Sequence, residues 1–117
     1  MRLNEMSFTE GQPVDSYGPG FFRIGGELHH GPVLIGPDGP TAWAGLDDLA
    51  PLTALSARID VLFVGTGAEI APLPPRLRSE LEAKGVGVET MNSPAACRTY
   101  NVLLSEGRRI ALAVLPV

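Results

Sequence analysis

The chain has 117 residues, 44% of them apolar, and a formal net charge of −4 at neutral pH. This length allows one domain with its own core, and the apolar content excludes an intrinsically disordered protein. The negative charge gives no general attraction to nucleic acids or anionic membranes. A single cysteine excludes a disulfide framework and a cysteine-cluster zinc site, which suits a reducing compartment. No apolar run approaches the roughly 20 residues of a membrane span, and we find no signal-peptide core.

The first part of the chain predicts antiparallel hairpins. Residues 1–12 are polar and predict a loose lead-in, whereas residues 13–45 alternate short apolar pieces with glycine and proline turns. The apolar pieces are Phe21–Ile24, Val33–Ile35 and Ala42–Trp43. Turn residues at such short intervals are typical of hairpins. Leucines then recur at a spacing of three over Leu46–Leu55, where Pro51 limits the segment to one or two short helical turns.

Residues 59–117 predict a β-α-β-α-β unit. Asp60–Val64 is a short, nearly continuous apolar run, which is typical of a strand buried on both faces. A glycine turn ends this strand, and three prolines lead into a helix over Arg76–Lys84. Val86–Thr90 returns as a second strand. The connection is long enough to join parallel strands, and such crossovers are almost always right-handed.

A second helix and a final strand complete the unit. Ser93 is a good N-cap, and Pro94 suits the first helical position. Four apolar residues then follow at the spacing of a core-facing stripe, namely Ala96, Tyr100, Leu103 and Leu104. Gly107 ends the helix, and Ile110–Leu115 supplies one more buried strand. We therefore predict an α/β fold over 1–117, a single domain in which the hairpins and the β-α-β-α-β unit share one core.

Three motifs that could carry chemistry have simpler structural interpretations. The glycine turn Gly65–Gly67 lacks the third glycine of a dinucleotide fingerprint, because Ile70 occupies that position. His29 and His30 are adjacent in a predicted strand, so they point to opposite faces and cannot chelate one metal. Cys97 lies near a helix N-terminus that could lower its pKa, but its place beside the apolar stripe favours a small core residue. We predict no catalytic residue, no metal site and no cofactor.

Polar side chains follow two neighbouring parallel strands. The loops 65–74 and 91–93 should lie at the same carboxyl edge of the sheet, where open α/β sheets bind ligands. Arg98 could hold an anion above the helix N-terminus, although a solvated or ion-paired arginine is the alternative. The predicted ligand or partner crevice comprises Thr66, Gly67, Glu69, Asn92, Ser93, Cys97, Arg98 and Asn101.

Several motifs together resemble one known family. They are Tyr17-Gly18-x-Gly20-x-Phe22-Arg23-Ile24, then Trp43, then Asp60-x-Leu62-x-x-Gly65-Thr66-Gly67, and finally Arg98-Thr99-Tyr100-Asn101-Val102-Leu103 with Glu106-Gly107-Arg108-Arg109. The chain resembles the small domain shared by mitochondrial complex I assembly factor 3 and many uncharacterised bacterial and archaeal proteins. The likeness runs from about Val14 to Pro116, and its most specific part is the segment that begins at Arg98.

The resemblance implies a fold and a function. The fold is a three-layer (β+α)/β/α arrangement with a mixed central sheet, and the mitochondrial members help to assemble the respiratory NADH dehydrogenase without being enzymes. We therefore expect a bacterial cytoplasmic protein without a presequence, which binds a protein partner such as a respiratory or membrane-complex subunit. Phe21, Phe22 and Trp43 are candidates for its contact surface, although such aromatics are more often core residues. The alternative is a small-molecule or anion binder, or an undescribed enzyme, that uses the carboxyl-edge crevice.

Overall fold

The computed structural model describes residues 11–117, which form eight strands and three helices. In chain order these are β1 (Val14–Gly18), β2 (Phe21–Ile24), β3 (Glu27–His30), β4 (Val33–Gly36), β5 (Gly39–Ala42), α1 (Ala50–Thr53), β6 (Val61–Thr66), α2 (Pro75–Ala83), β7 (Gly87–Met91), α3 (Ser93–Ser105) and β8 (Ile110–Leu115). The predicted lead-in lies outside the described residues except for Gly11 and Gln12. Both are held, because the Gly11 N–H donates to the Pro37 carbonyl and the Gln12 carbonyl accepts from the Tyr100 hydroxyl.

The strands form two sheets. β1, β2 and β3 make a three-stranded antiparallel sheet, as the turn-rich first part of the chain predicts. The second sheet has five strands in the order β5-β4-β8-β6-β7. Within it β6 runs parallel to β7 and β8, whereas β4 runs antiparallel to β5 and β8. This second sheet is the mixed central sheet of the predicted fold.

Helices cover both faces of the central sheet. One apolar cluster joins the sheet to α3 and to β2, where Phe22 and Tyr100 are fully buried. The other joins the opposite face to α1 and α2, where Leu77 and Leu81 are fully buried. The predicted three-layer (β+α)/β/α fold is confirmed. The hairpins and the β-α-β-α-β unit share the first cluster, as predicted. Side chains alternate between faces along β6, so the sheet separates this cluster from the second one.

The order of the parallel strands places their carboxyl ends together. The chain passes from β6 outward to β7 through α2, and then returns across β6 to β8 through α3. Because the direction of travel reverses, right-handed connections require the two helices to lie on opposite faces, as they do. The register pairs Gly65 with Met91 and Thr66 with Leu115. These residues mark the carboxyl rim of the sheet.

Candidate functional site

Ser93 connects the two loops at the carboxyl rim of the sheet. The Ser93 N–H donates to the Gly67 carbonyl at 2.7 Å, and the Ser93 hydroxyl accepts a hydrogen bond from the Gly67 N–H at 2.8 Å. The same hydroxyl donates to the Leu115 carbonyl at 2.6 Å. Ser93 is only 1% exposed. The two loops therefore meet as predicted, and a buried hydroxyl fills the space between them.

The close approach of α3 to β6 depends on glycine. A Cβ atom added at Gly65 would lie 2.7 Å from the Cα atom of Ser93, which is closer than real contacts allow. Gly67 has a φ of +100°, a backbone conformation that side chains disfavour. The glycine turn thus lets a helix N-terminus pack directly on the sheet. It serves as the strand-end turn predicted from the sequence.

The N-cap of α3 differs by one residue from the prediction. The Asn92 side chain accepts a hydrogen bond from the Ala95 N–H at 2.8 Å, and Asn92 has an extended conformation. Asparagine and serine are about equally good N-caps, so local preference does not choose between adjacent positions. The contacts of Ser93 with Gly67 and Leu115 decide the choice.

Thr66 organises the loop that leaves β6. Its hydroxyl donates to the Glu69 carbonyl and accepts a hydrogen bond from the Ala71 N–H, both at 2.9 Å. It also lies 3.3 Å from the Met91 carbonyl on β7. The hydroxyl therefore holds the loop in a tight turn against the rim, while the Glu69 side chain is exposed.

The other predicted crevice residues lie along α3. Cys97 is buried in the first core cluster, and burial raises its pKa to about 12 although the Arg98 charge opposes this. The interpretation of Cys97 as a small core residue is confirmed. The alternative, that the helix dipole lowers its pKa, is wrong. The Asn101 side chain accepts from the Val14 N–H and donates to the Val14 carbonyl, both at 2.9 Å. Asn101 thus fastens β1 to α3, whereas Arg98 is exposed on the surface of the helix.

A groove that the sequence analysis missed lies beside these corners. It has a volume of about 530 Å³ and separates the loop after β6 from α2 and the end of β7. We call it the rim groove; it is lined by Ile70, Ala71, Pro72, Leu73, Pro74, Pro75, Arg78, Ser79, Glu82 and Thr90. Ile70 is 65% exposed. The sequence held one signal for this groove, namely apolar residues among closely spaced prolines. Such a segment cannot form the helix or strand that would turn its apolar side chains into the core.

Arg78 forms one wall of the rim groove. Its guanidinium donates to the Val88 carbonyl at 2.9 Å and to the Thr90 hydroxyl at 3.3 Å. It also lies 3.4 Å from the Glu82 carboxylate. The arginine therefore bridges α2 and the outer edge of β7, and it places a cation beside an apolar surface.

Two further features concern the described residues 11–117. Residues 11–117 contain no group of three or more histidine, cysteine, aspartate or glutamate side chains that could bind a metal ion. No helix within this range has the length and apolar content needed to cross a membrane. Phe22 and Trp43 are buried, which confirms that they are core residues and excludes them from a contact surface; Phe21 is half-buried.

Comparison with known proteins places the chain in a family. The sequence profile described as "Protein of unknown function (DUF498/DUF598)" matches residues 14–115. The chain belongs to this family. The DUF498/DUF598 chain is 51% identical over 117 residues to an uncharacterised protein of Rhodobacter capsulatus, covering 100% of this chain and 94% of that protein.

Named relatives confirm the resemblance found in the sequence. The chain is 34% identical over 115 residues to the NADH dehydrogenase (ubiquinone) 1 alpha subcomplex assembly factor 3 of Danio rerio. The match covers 92% of this chain but 66% of the Danio rerio protein, and the chain spans 60% of the human protein of that name. A solved structure described as an outer membrane protein from Bartonella henselae superposes with a TM-score of 0.84. It is 36% identical and covers 92% of this chain and 97% of its own.

Proposed function

We propose that this member of the DUF498/DUF598 family is a non-catalytic protein-binding protein with an assembly-factor role. The observation that carries the proposal is the likeness to proteins named as assembly factor 3 of NADH dehydrogenase over almost the whole chain. The predicted crevice residues support it, because Thr66 and Ser93 at the rim and Asn101 on α3 are engaged in internal hydrogen bonds. Side chains engaged in this way stabilise the fold and are poorly placed to act on a substrate.

The rim groove is the surface that we assign to the partner. Interfaces combine an apolar centre with a polar rim, and exposed apolar patches on a protein surface are often binding sites. Ile70 supplies an exposed apolar side chain, and the prolines hold the loop without the entropy cost of ordering a flexible one. Arg78 and Glu82 provide charged groups at the side of the groove. The partner belongs among respiratory or membrane-complex subunits, as the names of the relatives suggest.

Site-specific photo-crosslinking in living cells tests the proposal. A photoreactive amino acid at position 70 should form adducts with one or a few proteins, whereas the same group at Val102 should not. Val102 is a matched control because it is 56% exposed and lies on α3, on the other face of the central sheet. In a tagged chain without the photoreactive group, Ile70→Asp should reduce co-purification of that partner about tenfold relative to wild type, since it places a charge in an apolar contact. Equal adducts at both positions, or recovery unaffected by Ile70→Asp, would contradict the assignment.

A small-molecule site is the second candidate, and the volume of the rim groove favours it. Ligand pockets in proteins typically span about 300–1,000 Å³, and a few polar groups such as those of Arg78 and Thr90 orient the ligand. None of the predicted crevice residues lines this groove. A thermal-shift screen with anions, nucleotides and common metabolites separates the two functions, because a ligand that binds the folded state raises the melting temperature. Stabilisation that Ile70→Asp abolishes would favour the small-molecule site.

A cytoplasmic location is part of the same proposal. The single cysteine is buried as a free thiol, which suits a reducing compartment. Fractionation of cells that express a tagged chain should recover the protein with cytoplasmic markers. Recovery with periplasmic or outer-membrane markers would contradict this location.

A further inference from the structure

β7 is the last strand of the central sheet, and no other strand of residues 11–117 pairs with its outer side, which we call the open edge. The N–H and C=O groups of a strand residue point to the same side, and successive residues point to opposite sides. The Gly87 N–H donates to the Asp60 carbonyl at 2.9 Å, which places the backbone groups of Gly87 on the β6 side. Val88 and Thr90 therefore direct their backbone groups to the open edge. Arg78 reaches the Val88 carbonyl from that side.

The open edge of β7 adjoins the rim groove. Thr90 belongs to both, and the Val88 side chain packs on the α2 face of the sheet. Glu89, between them, points to the opposite face and is exposed. An added strand would therefore meet the outward N–H groups of Val88 and Thr90, an apolar groove on one face and a carboxylate on the other.

We propose that the open edge of β7 binds an extended peptide as an additional strand. The backbone of the peptide pairs with the N–H of Val88 and with the N–H and C=O of Thr90. The Val88 carbonyl keeps its hydrogen bond from Arg78. The side chains of the peptide alternate, with apolar residues toward the rim groove and a lysine or arginine beside Glu89. Opposite charges on neighbouring strands are favourable, and strand addition is a common mode of peptide recognition. This inference rests on the proposed function, because it names the kind of segment that the partner presents.

A second copy of this chain is a poor occupant of the same edge in the register centred on Glu89. Symmetric antiparallel pairing of two β7 strands centred on Glu89 would place two carboxylates directly opposite each other. Like charges in that position are destabilising. The charge on β7 therefore favours a different chain, one that carries a basic residue at this position.

Amide NMR on the isotopically labelled protein tests strand addition at residue level. The probe is a synthetic ten-residue peptide of alternating lysine and valine, blocked at both ends, and its counterpart carries glutamate for lysine. At saturation the lysine peptide should slow solvent exchange of the Val88 and Thr90 amides about tenfold, because opening then requires loss of a hydrogen bond. The Gly87 and Glu89 amides, which face β6, should change little. The glutamate peptide should bind about fivefold more weakly because it places like charges beside Glu89.

Two substitutions at one position isolate the backbone contribution. Thr90→Pro removes the outward N–H and keeps the pairing with β6, and proline is tolerated on a strand edge. Thr90→Ala removes the same hydroxyl but keeps the N–H. Thr90→Pro should weaken the lysine peptide about fivefold, whereas Thr90→Ala should stay within about twofold of wild type. Glu89→Lys should reverse the preference between the two peptides.

Several results would overturn the inference. One is an equal loss of affinity for the lysine peptide in both Thr90 variants, and another is an unchanged affinity in Thr90→Pro. A third is that neither peptide slows solvent exchange of the Val88 and Thr90 amides. If resonances of the rim groove respond without that slowing, strand addition is overturned while the groove remains a binding surface. The crosslinking result at position 70 is read independently, so failure of the proposed function would be recognised separately.

Discussion

Ser93 and Gly67 bind each other through both backbone and side chain. The Ser93 N–H donates to the Gly67 carbonyl, and the Gly67 N–H donates to the Ser93 hydroxyl. The hydroxyl then donates to the Leu115 carbonyl, so one buried side chain connects the ends of β6 and β8 at the start of α3. This arrangement satisfies polar groups that would otherwise be buried without partners.

Ser93→Ala should destabilise the protein by about 2–3 kcal/mol, because it leaves the Gly67 N–H without its acceptor and the Leu115 carbonyl without its donor. The free energy of unfolding from urea denaturation measures this effect. Ser105→Ala is the matched control; its exposed hydroxyl donates to the Val102 carbonyl of the same helix. The control should change stability by less than about 0.5 kcal/mol. Similar changes in the free energy of unfolding for the two variants would show that the hydrogen bonds of Ser93 contribute little to stability.

Gly65→Ala should be more damaging than an alanine at Gly87. The added Cβ at Gly65 meets the backbone of Ser93 at 2.7 Å, whereas at Gly87 its closest neighbour lies at 3.7 Å. Overpacking of a buried site costs about 1–3 kcal/mol, and replacing a strand glycine by alanine otherwise stabilises by about 0.5–1 kcal/mol. Thermal unfolding of the two variants should therefore shift in opposite directions. A neutral Gly65→Ala variant would mean that α3 can move away from the sheet.

Asn101→Asp should loosen β1. A carboxylate can still accept from the Val14 N–H, but it cannot donate to the Val14 carbonyl and places a charge beside it. We expect a loss of about 1–3 kcal/mol, with faster amide exchange concentrated in β1. Val102→Ala, at the adjacent exposed position, is the control and should leave this exchange unchanged. Uniformly faster exchange throughout the chain would argue against a local role for Asn101.

Cys97 should resist thiol reagents in the folded protein near pH 8, because burial keeps its thiol protonated with a pKa of about 12. The folded pKa lies above the ordinary value of 9.0, so its contribution to stability is complete below pH 9 and is lost between about pH 9 and 12. Burial also raises the pKa of Tyr100. Cys97→Ala should therefore reduce the alkaline loss of stability by about 1.4 kcal/mol per pH unit in this window, and leave the Tyr100 part.

Denaturation at several alkaline pH values measures that slope. The same slope in Cys97→Ala and wild type would show that Cys97 ionises equally in the folded and unfolded states. Rapid labelling of the native thiol near pH 8 would contradict a buried, protonated Cys97.

The local sequence predicted much of the second half of the chain. Buried strands such as β6 and β8 are short apolar runs, and glycine and proline mark the ends of α2 and α3. β1 was harder to predict because only Val14 is buried in it and its exposed residues show no alternation. β3 is similar, with Leu28 exposed. Periodicity indicates a strand only where one face is regularly buried.

The sequence by itself determined the family, the order of the elements after residue 59 and the meeting of two loops at one rim. The family follows from the resemblance of several motifs. The order of the elements and the meeting of the loops follow from apolar spacing, turn residues and the handedness of crossovers, which act over a few tens of residues. Only the tertiary structure decided that Ser93 fills the corner, that Asn101 holds β1 and that a groove opens beside Ile70. The partners concerned lie 26 residues apart for Ser93 and Gly67, and 87 apart for Asn101 and Val14. Their hydrogen bonds depend on the packing of whole elements, which no local pattern specifies.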